Sequence, residues 1–164
     1  MADEPHERKF LLSELAFNEI VRDMEVEFLI AIEQFQERCM KFRKGYYLLP
    51  ENMKYVEFYH EYIRIGKFFH MTELTEGEWE AAKELVKQPE TVILRKRRYV
   101  GHKDGYDLDV DQFFHPTKLF MLEVSSKDKP LKDFIPSWSV IKEVTDDPAY
   151  KNVNIAAGSL KESQ

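Results

Sequence analysis

The chain has 164 residues, with 24 Lys+Arg against 30 Asp+Glu and a formal net charge of −6 when histidine is neutral. At 43% hydrophobic and 13% aromatic residues it is one domain's worth of protein, able to bury roughly two thirds of its unfolded surface, which excludes disordered and collagen-like classes. No window approaches the ~18 consecutive apolar residues of a membrane helix, and the opening MADEPHERKF is too charged for a signal peptide. The expectation is a cytoplasmic protein with no membrane partner. The single cysteine, Cys39, permits neither an intramolecular disulfide nor a thiolate zinc cluster, and the acidic total argues against broad nucleic-acid binding.

Residues 7–12, ERKFLL, mix charge and apolar side chains as a strand with one wet face does, with helix as the competing assignment. From Ser13 to about Met40, the residues Phe17, Val21, Met24, Phe28, Ala31 and Phe35 recur at spacings of four and three, which predicts an amphipathic helix or two successive ones. Tyr46 to Leu49 reads as a short strand between Gly45 and Pro50, and 55–71 as one long strand or two broken near Gly66. Thr75 and Glu78 form a capping box, with Leu74 and Trp79 as a hydrophobic staple, so a helix is predicted from there to about Lys87, before Pro89. Strands follow at 91–100, 106–114 and 118–126, the first two joined by a glycine-bounded turn over Gly101–Gly105. Segment 127–137 reads as loop, then comes a compact tail, and residues 158–164 read as a loose end after one domain spanning 1–157.

Side chains alternate faces along a strand. Tyr106, Leu108 and Val110 therefore point one way and Asp107, Asp109 and Asp111 the other, while Lys96 shares a face with Arg98, and Met121 with Glu123 and Ser125. If the strands are antiparallel neighbours, a basic pair lies beside a row of carboxylates. On an open sheet that surface is simply solvated, with cross-strand ion pairs of ~1 kcal/mol or less. If the sheet curls around it, the mixed charges suit a hard divalent cation and its phosphate ligand. The five histidines, His6, His60, His70, His102 and His115, have no zinc-ligand spacing.

The order of motifs resembles the CYTH superfamily, the group of class IV adenylate cyclases and thiamine triphosphatases also called triphosphate tunnel metalloenzymes. The family's Glu-x-Glu-x-Lys opening aligns with Pro5-His6-Glu7-Arg8-Lys9-Phe10-Leu11, Lys-x-Arg-Tyr with Lys96-Arg97-Arg98-Tyr99, and apolar-Glu-Val-Glu with Leu122-Glu123-Val124-Ser125. The closing motifs align with Pro136-Ser137-Trp138, Glu143-Val144-Thr145-Asp146-Asp147 and Tyr150-Lys151-Asn152. The resemblance implies an α+β fold: an antiparallel eight-stranded β-barrel or tunnel with flanking helices. It implies Glu7 and Glu123 as metal ligands for Mg²⁺ or Mn²⁺, with Glu4, Asp107 or Asp111 to stand in for the missing ones. Lys9, Arg43, Arg64, Lys96 and Arg98 would bind a triphosphate-containing small molecule or inorganic polyphosphate, and Lys96, Arg98 and Asp109 would act in its hydrolysis. Pro5 and Ser125 replace two family glutamates, and the Arg-x-Arg strand usual in the family is reduced to Arg64 within 55–65. Two functions follow as expectations: a triphosphatase-like phosphohydrolase, or a degenerate, non-catalytic scaffold that binds an anionic ligand or a protein partner. A homodimer is compatible with either.

Overall fold

In the computed structural model, which describes residues 6–37, 40–49, 54–86 and 94–151, the chain begins with β1 (Arg8–Leu12) and α1 (Glu14–Asp23). Ser13 caps the helix by accepting a hydrogen bond from the Ala16 amide at 3.1 Å, and Ala16, Phe17 and Ile20 form its buried face. The helix stops at Met24, whose backbone is extended, and the chain continues as β2 (Glu25–Glu37). The long helix expected to about Met40 is therefore a ten-residue helix followed by a thirteen-residue strand. Phe28, Ala31 and Phe35 fit a helical stripe only because β2 is apolar on both faces. Ile32 is buried on one face and Phe35 on the other, so the strand lacks the polar alternation that would have marked it.

Next come β3 (Met40–Leu49), β4 (Lys54–Ile65) and β5 (Phe68–Glu73). The break near Gly66 is a hairpin turn in which that glycine takes φ +58°. The capping box opens α2 (Glu76–Val86): Glu78 N donates to Thr75 Oγ1, and Thr75 N donates to Glu78 Oε1, both at 3.1 Å. After it, β6 (Leu94–Lys103), β7 (Tyr106–His115) and β8 (Leu119–Ser125) form a meander. The turn between β6 and β7 is tighter than the expected five-residue loop. The strands run to Lys103 and from Tyr106, leaving Asp104 and Gly105, both at positive φ, as a two-residue hairpin turn. Two short 3₁₀ turns, Leu131–Asp133 and Pro148–Tyr150, flank β9 (Val140–Glu143). The expected loose end, 158–164, lies outside the described residues, as does Glu4.

Among the described residues all pairings are antiparallel, in the order β5-β4-β3-β2-β6-β7-β8-β1-β9. The expected antiparallel barrel or tunnel with flanking helices is present as a tunnel-like sheet that does not close, with nine strands among the described residues in place of eight. The ninth strand comes from the tail, which pairs with the second edge of β1 and donates from Val144 N to Lys9 O at 2.8 Å. One helix lies over each end of the outer face. Phe17 and Ile20 of α1 pack on Phe10, Leu108, Val110, Phe120 and Leu122, and Trp79 of α2 packs on Phe35 and Phe42. At one end of the inner face, Leu94, Phe113 and Met121 meet Val144 and Tyr150 of the tail, an apolar plug. No helix among the described residues is long and apolar enough to cross a membrane.

Candidate functional site: a charged tunnel wall

Antiparallel register carries one face from strand to strand, because directly opposite residues point the same way. Lys9 lies opposite Glu123, Glu123 opposite Asp109, and Asp111 opposite Arg98. Arg98 in turn lies opposite Ile30, Ile30 opposite Tyr47, and Arg43 opposite both Gln34 and His60. The charged residues singled out on separate strands thus line one inner wall. The alternation expected within β6 also holds: Lys96 is buried within the wall, whereas Arg95 and Arg97 are exposed on the other face.

Asp111 is the centre of this wall. Its carboxylate accepts from Lys96 Nζ at 3.0 Å and from two nitrogens of Arg98 at 2.8 Å each. Lys96 and Asp111 are only 2% and 1% exposed, a desolvated pair, and Arg98 beside them is partly exposed. Arg98 also reaches Asp109 at 3.4 Å and Glu123 at 3.7 Å. Lys9 Nζ stands 3.7 Å from Glu123 and 3.6 Å from Glu7. Arg43 donates twice to Gln34 Oε1, at 3.2 and 2.9 Å, and stacks 5.5 Å from the centre of the Tyr62 ring.

Burial and charge set the ionisation of each group. Burial pushes the Lys96 ammonium down to about 8, helped by the like charge of Arg98 and opposed by Asp111. Burial works in the same downward direction on Arg98, but the carboxylates of Asp111, Glu123 and Asp109 outweigh it and hold the guanidinium above its ordinary range. Asp111 is the mirror case: burial lifts it, and Arg98 with Lys96 holds it well below the usual carboxylate range. Burial lifts the Asp109 carboxyl; Arg98 opposes that and the carboxylates of Asp111 and Glu123 reinforce it. Glu7 is raised by burial and by neighbouring Glu123.

The structure brings together Lys9, Lys96, Arg98, Asp109 and Glu123, with Glu7 at their edge and Arg43 further along the wall. Arg64 is exposed and stacks 5.3 Å from the centre of the Phe69 ring. Asp107 is exposed, level with Ser125 and His102. Among the described residues no group of three or more His, Cys, Asp or Glu side chains is placed to hold a metal ion, so Glu7, Glu123 and Asp107 do not assemble as a ligand trio. Ser125, directly opposite Asp107 and two residues from Glu123, brings no carboxylate to that step of the sheet.

Two features were missed. Lys41, on the Arg43 face of β3, feels the charges of Arg43, Arg64, Arg98 and Lys9 and is driven below its ordinary pKa by burial first and by those cations next. Its spacing of two from Arg43 is the signal the sequence offers, concealed by the helical spacing of 13–40 and by an expected strand that starts only at Tyr46. Asp111 was a reserve ligand in the sequence and is the electrostatic hub in the structure.

An antiparallel sheet curled into an open tunnel, with helices outside and acids and bases alternating within, defines a CYTH-like α+β fold. Two solved structures share it. One described as the inorganic triphosphatase NE1496 superposes with a TM-score of 0.62 at 22% identity, covering 96% of each chain. Another, described as the hypothetical protein NE1496, superposes with a TM-score of 0.61 at 21% identity, covering 92% of this chain and 96% of that one. No protein-family model and no curated protein sequence matches the chain.

Proposed function

We propose that the tunnel binds a triphosphate compound or inorganic polyphosphate and hydrolyses it with Mg²⁺ or Mn²⁺. The observation that carries this is the inner wall itself, on which Lys9, Lys41, Arg43, Lys96 and Arg98 converge with Glu7, Asp109, Asp111 and Glu123. The fold shared with an inorganic triphosphatase supports it. A polyanion with charge on every phosphate needs several cations at once, and a buried charged hydrogen bond contributes about 1.5–3 kcal/mol. Lys96 and Arg98, fixed by Asp111, are preorganised donors for the transferring phosphoryl group, and Lys9 completes the set. Asp109, its carboxyl raised by burial, is suited to take a proton from the attacking water.

The donor set fits a metal in one way only. Mg²⁺ is commonly held by one or two carboxylates, with phosphates and water supplying the remaining ligands. Glu7 and Glu123, close enough for each to feel the other's charge and both facing Lys9, are such a pair, and the polyphosphate would supply the rest. When bound, the ion would neutralise developing phosphate charge.

The test is phosphate release from inorganic tripolyphosphate, thiamine triphosphate and ATP, with Mg²⁺ or Mn²⁺ and with chelator, for the natural chain and Glu123→Ala. Turnover that needs metal and disappears in the variant is expected. No turnover on any of the three from folded protein would overturn hydrolysis. It would favour the alternative of a non-catalytic anion-binding scaffold, which Ser125 and the missing third ligand support. That scaffold would bind tripolyphosphate in chelator and release no phosphate.

A further inference from the structure

We infer that Lys9 is the resident counter-cation of the Glu7–Glu123 pair, and that a divalent ion gains those carboxylates only together with a polyphosphate that draws the ammonium away. This rests on the proposed metal and polyphosphate chemistry of the tunnel. Glu7 is the residue just before β1, two positions from Lys9, and the register puts Lys9 directly opposite Glu123. The ammonium is 3.6 Å from Glu7 Oε1 and 3.7 Å from Glu123 Oε1, against the same two carboxylates that would hold a divalent ion. The other oxygen of Glu123 faces Arg98 at 3.7 Å. Both oxygens of Glu123 are therefore already matched by the chain's own cations.

Of the two cations, only Lys9 is free to move. Arg98 is clamped to Asp111 by two hydrogen bonds of 2.8 Å, a bidentate geometry that fixes the guanidinium. Lys9 holds its carboxylates at longer range, on a flexible four-carbon stem with rotatable donors. Net charge gives the direction of the coupling. The five inner cations against four carboxylates leave the empty wall near +1, with Arg64 and Asp107 at the margin cancelling. A divalent ion alone raises it to about +3, beside an ammonium already against the same carboxylates. A polyphosphate with about four negative charges lowers it to about −3, and the two together bring it to about −1. Each ligand thus corrects the charge the other leaves, and a phosphate oxygen gives Lys9 somewhere to go.

Equilibrium dialysis of the full chain against Mn²⁺ alone, and against Mn²⁺ with inorganic tripolyphosphate, tests this without reference to turnover. The natural chain is expected to retain Mn²⁺ only with tripolyphosphate. Lys9→Met, and Lys9→Gln as a second neutral variant, should retain Mn²⁺ alone about tenfold or more tightly than the natural chain. Lys9→Arg should still exclude it, and Glu123→Gln in the Lys9→Met background should abolish the gain. Near-UV circular dichroism checks that each variant is folded. Natural chain that binds Mn²⁺ alone as tightly as Lys9→Met, or neutral variants with no gain, overturns the inference while leaving the tunnel reading intact. If no variant retains Mn²⁺ in either condition, the metal chemistry of the tunnel fails and the inference fails with it.

Discussion

Replacing Lys96 with methionine should make this protein more stable, by an amount that depends on pH. Lys96 is fully buried, and burial with the like charge of Arg98 brings its ammonium from the ordinary 10.5 to about 8, even after the attraction of Asp111 is included. That difference, at about 1.36 kcal/mol for each pH unit, corresponds to about 3 kcal/mol by which the folded state disfavours the charged lysine at neutral pH. Below pH 8 both folded and unfolded chains hold the proton, and the whole cost is present. Between pH 8 and 10.5 the unfolded chain holds more protons than the folded one, so stability rises with pH and the cost fades. Methionine matches the unbranched shape of lysine and suits the contact with Phe113, whose ring centre lies 5.1 Å from Nζ. Asp111 keeps both of its hydrogen bonds from Arg98 in the variant. Urea denaturation at pH 7 should therefore show Lys96→Met more stable by up to about 3 kcal/mol, or about 6–12 °C in Tm for a chain of this size. The gap should close by pH 10.5, while the variant loses affinity for tripolyphosphate. A less stable Lys96→Met at pH 7, or a gap that stays constant across this pH range, would refute the reasoning.

The opposite substitution on the same trio should be severe: Asp111→Ala leaves Lys96 and Arg98 facing each other in a buried site and is expected to cost about 3–5 kcal/mol, read as a fall in the urea midpoint. Because Arg98 and Lys96 hold Asp111 well below the carboxylate range, this contribution is present above the unfolded pKa and is lost only as pH falls through the lower folded value, so the deficit of the variant should persist through mildly acidic pH. Lys41→Ala and Arg43→Ala should each weaken tripolyphosphate binding by about tenfold or more, measured by calorimetry, and Arg43→Ala should also lower Tm because it leaves the buried Gln34 carbonyl without its two hydrogen bonds. Trp79 is fully buried with its indole N–H unpartnered, so Trp79→Phe should cost less than about 1.5 kcal/mol and Trp79→Ala about 3–5 kcal/mol, a contrast that chemical denaturation resolves.

What could be read from the sequence followed local physics. The capping box at Thr75 and Glu78 appears as written, because its two hydrogen bonds need no distant partner. The break near Gly66 and the strands of the meander appear for the same reason, through turn chemistry and alternation. The failure at β2 has an equally physical cause. A strand buried on both faces loses its period, and Phe28, Ala31 and Phe35 then match a helix by spacing alone. Concealment of β2 and the start of β3 carried a second loss with it, since Lys41 could not be assigned to the wall until Arg43 had a strand and that strand had a neighbour.

The sequence by itself determined which charges share a face: Lys96 with Arg98, and Asp107 with Asp109 and Asp111. Alternation along a strand is a property of the backbone and needs no tertiary information. Only the tertiary structure decided which faces meet, because register between strands distant in sequence depends on the packing of α1, α2 and the tail against the sheet. It made Asp111 the hub by placing Arg98 directly opposite and Lys96 within reach, left Asp107 and Arg64 exposed, and lodged the Lys9 ammonium between Glu7 and Glu123. It also turned the polar face inward, which separates a tunnel wall from a solvated sheet of the same composition.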